Sequence, residues 1–311
     1  MPVYPSIWRA CKAVQFAERR TGPASVEMRR AAVAARPAPV GDVGEGMTVT
    51  EYDVPVDGAT IAIRVHGARG GGRRPAHLIF HSGAFCYGGA QELDDLAAFY
   101  ARGVGCVVLA VDYRLAPEHP FPTAVEDGYA ALQWTVDNAA SLDVDPGRMS
   151  IGGVSAGGCV AAAVAMMARD RGGPDLVFQL LEIPVTDLTL SSRSADRFGR
   201  GYLLTRAELV ASYASYVPDP ARRTEPYASP LLAPDLSGLP PAMVITAGSD
   251  PLRDEGESYA RRLAQAGVPT QAVRARGHVH SSTYSAMPSA RRYRRQAADA
   301  LARAYAAAER A

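Results

Sequence analysis

The chain has 311 residues, 48% of them hydrophobic and 21% charged, which is enough apolar content for a large buried core and too much for a disordered chain. Its formal net charge of +1 supplies no polyelectrolyte field, so nucleic acid is not an expected partner. The basic residues are nearly all Arg, with Lys12 the only lysine, a bias that runs through the whole chain as codon usage alone would produce.

Residues 1–45 read as helical pieces, broken by Gly22-Pro23 and by Arg36-Pro37-Ala38-Pro39. Their first stretch, Met1 to Phe16, holds Arg9 and Lys12 within its apolar run, and a secretory leader is not expected. No run approaches the ~18 apolar residues of a membrane span, so a membrane-spanning helix is not expected. Thr48–Val54 and Thr60–His66 have strand composition and are joined by a turn at Asp57-Gly58. Gly70-Gly71-Gly72-Arg73-Arg74 reads as a loop.

Beyond it, short apolar runs alternate with longer amphipathic ones. The spacing predicts strands at His77–Phe80, Cys106–Asp112, Arg148–Gly152, Val177–Ile183, Ala242–Ala247 and Thr270–Arg276. Helices are predicted at Glu92–Arg102, Ala124–Asn138, Ala156–Arg169, Leu252–Ala266 and Ser289–Ala308. That rhythm specifies an α/β fold with a mostly parallel sheet covered by helices on both faces. Residues 185–235 break it with a helix-like piece, Thr205–Tyr216, and a Pro-rich return, and an insertion of that length at a strand end is expected to form a lid. The expected organisation is therefore a helical segment over 1–45 and an α/β domain over 46–311 with a lid-forming insertion near 185–235.

Four cysteines, Cys11, Cys86, Cys106 and Cys159, show no C-x-x-C or metal-finger spacing and read as small core residues in a reducing, cytoplasmic setting. No H-E-x-x-H, P-loop or dinucleotide G-x-G-x-x-G is present, so neither a metal nor an organic cofactor is expected. An exposed strand or helix near the C-terminus is compatible with a homodimer.

The chemistry concentrates at Gly153-Val154-Ser155-Ala156-Gly157-Gly158, set between a strand and an Ala-rich helix. A serine on a tight strand-to-helix turn is pushed clear of the sheet, and small residues two positions either side allow the turn. The helix start then offers free N–H groups to a developing oxyanion. Ser155 is the expected nucleophile, with the N–H of Ala156 as one oxyanion donor. A second donor set is expected after an early strand, where His81-Ser82-Gly83-Ala84-Phe85 supplies Gly83 and Ala84. His81 itself reads as structural.

In this architecture the acid and then the histidine follow the serine. Asp250 stands at the first turn beyond Ala242–Ala247, with Asp254 as a rival inside the next helix. Gly277-His278-Val279-His280 follows the last strand and offers two bases.

Taken together, Asp112 to Pro122 (D-Y-R-L-A-P-E-H-P-F-P), Gly153 to Gly158 and Asp250 to Gly256 make residues 75–290 resemble the hormone-sensitive lipase family of α/β hydrolases, the bacterial family IV esterases. The resemblance favours His280, which has the expected G-x-x-H spacing, over His278. It implies a helical cap built from the N-terminal helices over 1–45 and the insertion at about 185–235, on an α/β-hydrolase domain over 46–311, and a carboxylesterase that acts on a small or medium small-molecule ester or lactone through an acyl-enzyme. The chain departs from the family pattern at three places: at Ser82 and Ala84 in the oxyanion loop, at Val154 in place of an acidic residue before the nucleophile, and at Ser281-Ser282 after the base. Ser82, Phe85, Val154, Tyr202 and Leu203 are expected in the substrate pocket. The substitutions at Ser82, Ala84 and Val154 support a second reading, non-hydrolytic acyl transfer, dehydration or cyclisation on the same fold.

Overall fold

Two N-terminal helices, α1 (Pro5–Thr21) and α2 (Val26–Ala34), precede the first strands in the computed structural model, which describes residues 3–21, 25–35, 47–68, 72–283 and 287–310. The breaks expected at Gly22-Pro23 and Arg36–Pro39, and Gly70-Gly71 of the glycine loop, lie outside these residues. The strands β1 (Met47–Val56) and β2 (Ala59–Ala68) form an antiparallel hairpin, and Gly58 supplies the positive φ of +67° that its turn needs.

The six apolar runs that follow become β3 (Arg74–Phe80), β4 (Val107–Asp112), β5 (Val144–Val154), β6 (Phe178–Glu182), β7 (Ala242–Ser249) and β8 (Thr270–Val279). Together they make one sheet in the order β1-β2-β4-β3-β5-β6-β7-β8. Pairing is antiparallel from β1 to β4 and parallel from there on.

The strands interleave with α3 (Asp94–Val104), α4 (Thr123–Asp137), α5 (Ala156–Asp170), α6 (Arg193–Phe198), α7 (Arg206–Tyr216), α8 (Arg253–Gln265) and α9 (Pro288–Ala308). Strand alternation feeds two cores. Leu78, Phe80, Leu109 and Val111 pack toward α4, α5 and α8, whereas Ile79, Val108 and Ala110 pack toward α3 and α9. Burial on both faces explains why these strands read as continuous apolar runs. The small side chains of α5 let it be buried without interruption from Ala156 to Ala168, so the helix that begins at the candidate nucleophile is held from all sides.

Backbone pairing carries several strands past their apolar stretches. β3 starts at Arg74, which the sequence assigned to a loop, because Arg74 pairs with Val144 at the start of β5. β8 likewise runs on through Gly277 and His278. The 185–235 insertion holds α7, opened by a Thr205–Glu208 capping box, and a short helix, α6, that the sequence reading missed. No described helix is long and apolar enough to cross a membrane.

Candidate active site

Ser155 sits between the end of β5 and the start of α5 at φ +57°, ψ −115°, a conformation that costs a non-glycine residue about 1–3 kcal/mol. Its neighbours enforce the turn. A Cβ on Gly153 would lie 2.1 Å from the Gly157 carbonyl oxygen, and one on Gly157 would lie 2.1 Å from that of Phe80. The Ser155 N–H donates to the Glu182 carbonyl (2.9 Å), and its own carbonyl accepts from Gly158 (2.9 Å) and Val185 (3.1 Å). The elbow is thus pinned to β6 and to the chain beyond it.

The side chains of Ser155, His280 and Asp250 come together from three separate strand ends. His280 Nε2 lies 3.0 Å from Ser155 Oγ, and His280 Nδ1 lies 2.8 Å from Asp250 Oδ2. An ionised Asp250 only accepts, so Nδ1 carries the proton and Nε2 is left to accept the serine O–H. The other Asp250 oxygen accepts the Leu252 N–H (2.9 Å), which fixes the carboxylate plane. All three residues are buried, Ser155 keeping 6% of its surface open.

The rival residues have other partners. Asp254 accepts the Ser194 N–H (3.0 Å) and pairs with Arg253. His278 packs edge-on against Tyr4 and Tyr293, with its Nδ1 2.9 Å from Ser282 Oγ. Ser282 Oγ also accepts the Val279 N–H (3.0 Å), so the departure from the family pattern at Ser282 supplies a tie across the turn that carries His280.

The loop expected to carry oxyanion donors takes three successive positive φ values, at Gly83 (+123°), Ala84 (+51°) and Phe85 (+66°). Gly83 is obligatory: a Cβ there would stand 1.7 Å from the Tyr87 carbonyl oxygen. Among the described residues, the Gly83 and Ala84 N–H groups have no acceptor, and the Ala156 N–H belongs to the open first turn of α5. His81 is buried and stacked on Tyr113 (centroids 4.2 Å apart), with Nδ1 2.6 Å from the Ser82 carbonyl oxygen. Burial pushes its pKa below the ordinary histidine value, against the pull of Asp112.

The 112–122 stretch clamps this loop from below. Tyr113 OH donates to the His81 carbonyl (2.9 Å), the Ala116 N–H to that of Phe85 (2.9 Å), and Asp112 Oδ1 accepts the Ala90 N–H (3.1 Å). Arg30 of α2 then ties both segments to the N-terminal helices. It donates to the carbonyls of Cys86 (2.7 Å) and Ala116 (2.8 Å) and grips Glu118 with two 2.7 Å bonds. Those bonds hold the Glu118 carboxyl down to about 2. A depressed carboxylate pKa supports the fold above the ordinary range and ceases to do so as pH falls through about 2. Arg30→Met is expected to lower stability by about 1–3 kcal/mol in urea unfolding, since two carbonyls lose a charged donor. In the same variant, NMR titration of Glu118 should return to the ordinary carboxylate range.

Above Ser155 lies a pocket of about 360 Å³. Of the residues expected there, Ser82, Val154 and Leu203 line it, together with Gly83, Ala84, Ser155 and His280. Phe85 and Tyr202 correct the expectation. Phe85 is fully buried and stacked on Tyr216 at 3.8 Å, because its positive φ turns the ring away from the pocket into the core. Tyr202 sets its ring edge-on to Phe198 (5.2 Å) and lines a different cavity.

The sequence reading missed much of the pocket's other wall. Val14 of α1, Val33 of α2 and Leu209 of α7 give it apolar surface, and Arg29 of α2 pairs there with Glu208 of α7. Glu92 adds a second carboxylate. Glu255, within the Asp250–Gly256 motif, accepts the N–H groups of Thr186 (2.8 Å) and Asp187 (3.2 Å), which anchors the start of the insertion to α8. The four cysteines are buried and free, and burial pushes Cys86 up to about 11 and Cys106 to about 12, so neither is a thiolate nucleophile near neutral pH.

Comparison with known proteins agrees with this architecture. A family profile described as alpha/beta hydrolase fold matches residues 77–283. Carboxylic ester hydrolase LipN of Mycobacterium tuberculosis is 43% identical over 226 residues, which cover 71% of this chain and 60% of the relative. The arylesterase of Saccharolobus solfataricus is 43% identical over 204 residues, 65% of this chain and 66% of the relative. The chain therefore matches less than two thirds of the length of either curated relative. Among solved structures, a hyperthermophilic esterase from the archaeon Pyrobaculum calidifontis aligns with a TM-score of 0.87 at 36% identity, over 97% of this chain and 99% of that one. A thermostable esterase from Pseudomonas putida gives 0.88 at 33% identity over 98% of each chain.

Proposed function

The chain belongs to the α/β-hydrolase fold family, in its hormone-sensitive lipase branch, and from that premise we propose that it is a serine-dependent carboxylic ester hydrolase. One observation carries the reading: the unbroken hydrogen-bonded chain Ser155 Oγ–His280–Asp250, at 3.0 and 2.8 Å, beside the open N–H groups of Gly83 and Ala84. Its relatives named above are hydrolases, which supports water as the final acyl acceptor.

In this reading His280 Nε2 takes the Ser155 proton as Oγ attacks the acyl carbon. The oxyanion settles among the N–H groups of Gly83, Ala84 and Ala156. His280 passes the proton to the departing alkoxide, and the alcohol leaves. Water then repeats the sequence on the acyl-enzyme, with His280 again as base, and the carboxylic acid is released. Asp250 holds the imidazole tautomer and stabilises its charged form.

The helices α1, α2 and α7 act as the cap, because Val14, Arg29, Val33 and Leu209 close the pocket opposite Ser155. A volume of about 360 Å³ lies at the low end of ligand sites and suits small or medium esters and lactones. Four buried, unpaired cysteines support a reducing, cytoplasmic setting.

The test is turnover of p-nitrophenyl esters from C2 to C12. Hydrolysis with kcat/KM at least about tenfold higher for C4 than for C12 is expected from a pocket of this size. Absence of turnover across the whole panel would overturn the assignment. Gly83→Ala should lower kcat by about 10²–10³-fold by shifting the oxyanion donors. An unchanged kcat in that variant would remove the loop from the mechanism.

A further inference from the structure

A second cavity, of about 350 Å³, opens where β7 and β8 end beside α6, and every charged residue lining it is an arginine: Arg197, Arg253, Arg274 and Arg276. The chain's general excess of Arg does not account for this convergence. Arg274 and Arg276 flank the buried Ala275 on one strand, so one face of β8 presents both. Arg253 is the first residue of α8, whose N-terminal partial charge adds to the field. Arg197 comes from α6 across the cavity. The guanidinium carbons of Arg197 and Arg253 both lie over the Phe198 ring, at 5.3 and 4.9 Å from its centroid.

Only half of this charge is answered. Arg253 pairs with Asp254 (2.7 Å), and Arg274 grips Glu257 through two bonds of 2.6 and 2.5 Å. Asp196, next to Arg197 in sequence, is taken by Arg206 (3.2 Å). Arg197 and Arg276 have no carboxylate partner among the described residues. Cations gathered in this way repel one another until an anion joins them. Guanidinium forks match the oxygens of a phosphate group, and two unanswered charges match the roughly −1.5 to −2 of a phosphomonoester.

We propose that this cavity is a binding site for a phosphate group, carried either on a small soluble molecule or on the headgroup of an anionic phospholipid. It is distinct from the pocket over Ser155. Tyr202 lines the arginine cavity while the next two residues, Leu203 and Leu204, line the other. The site makes no use of ester chemistry, so it stands or falls independently of the hydrolase assignment.

Isothermal titration calorimetry of the full chain with inorganic phosphate, at constant ionic strength, tests the soluble source. Cosedimentation with phosphatidylcholine vesicles, with and without phosphatidic acid, tests the lipid source. Saturable binding to at least one probe is expected, weakened at least about tenfold in Arg197→Gln/Arg276→Gln. A control of equal net charge, Arg73→Gln/Arg102→Gln, should bind as the unmodified chain does. All four substituted arginines are exposed, so melting temperatures without phosphate should stay unchanged. Calorimetric binding lost in the cavity variant assigns the soluble source, and binding to phosphatidic acid vesicles alone, lost in the same variant, assigns the lipid. No binding to either probe, or equal weakening in the control pair, overturns the proposal.

Discussion

Ser155→Ala is expected to reduce kcat on p-nitrophenyl butyrate by about 10⁵–10⁶-fold while leaving the melting temperature nearly unchanged. The size follows from the division of labour. The oxyanion donors and the pocket survive the substitution, and they alone retain only a small residue of rate enhancement over water. The fold survives too, because the φ of +57° is imposed by Gly153, Gly157 and the Ser155 backbone bonds, none of which involves the hydroxyl. KM should change little, since Oγ contributes to the transition state far more than to ground-state binding. A variant retaining more than about a hundredth of kcat would exclude Ser155 as the nucleophile.

Asp250→Asn should cost about 10⁴-fold in kcat, again without unfolding the chain. An amide keeps the shape of the carboxylate and can still accept the Leu252 N–H, so the turn after β7 has no reason to open. What changes is the proton on His280. An Asn NH₂ group facing Nδ1 favours the tautomer that places the hydrogen on Nε2, where it blocks acceptance of the Ser155 proton. The rival acid gives an internal contrast. Asp254→Asn should alter kcat only a few-fold, because Asp254 is occupied by Ser194 and Arg253 and forms no hydrogen bond or ion pair with His278 or His280 among the described residues. A reversal of these two outcomes would transfer the role to Asp254.

The parts of the fold that depend on local chemistry were legible in the chain. Runs such as His77–Phe80 and Cys106–Asp112 are strands because each is apolar on both faces and too short for a helix, and their alternation with helices made a mostly parallel sheet legible, whereas the strand order came from the structure. The elbow was equally readable, since Gly153 and Gly157 are required by close backbone approach and leave a trace in composition. The order serine, acid, histidine then led to Asp250 and to two candidate bases, of which the family resemblance favoured His280 over His278.

What escaped the sequence depends on side-chain direction and on contacts between distant segments. Phe85 directly follows Gly83 and Ala84, the proposed oxyanion donors, yet a positive φ sends its ring into the core against Tyr216, and no composition signal announces that turn. The Arg29–Glu208 pair joins two helices far apart in the chain, so neither residue carries a mark of the pocket they share. Arg30 is similar: its value lies in the carbonyls of Cys86 and Ala116, which only the folded loops bring within reach. Strand ends at Arg74 and Val279 were missed for another reason, because backbone pairing with a neighbour extends a strand beyond its apolar residues.

The proposed role of Ser155 as the nucleophile is open to direct observation. Incubation with a fluorophosphonate, followed by intact-mass and peptide mass spectrometry, should give a single adduct on the peptide containing Ser155, with ester turnover falling in proportion to labelling and no adduct in Ser155→Ala. An adduct elsewhere that abolishes turnover, or full hydrolysis by a chain whose Ser155 is completely labelled, would contradict it.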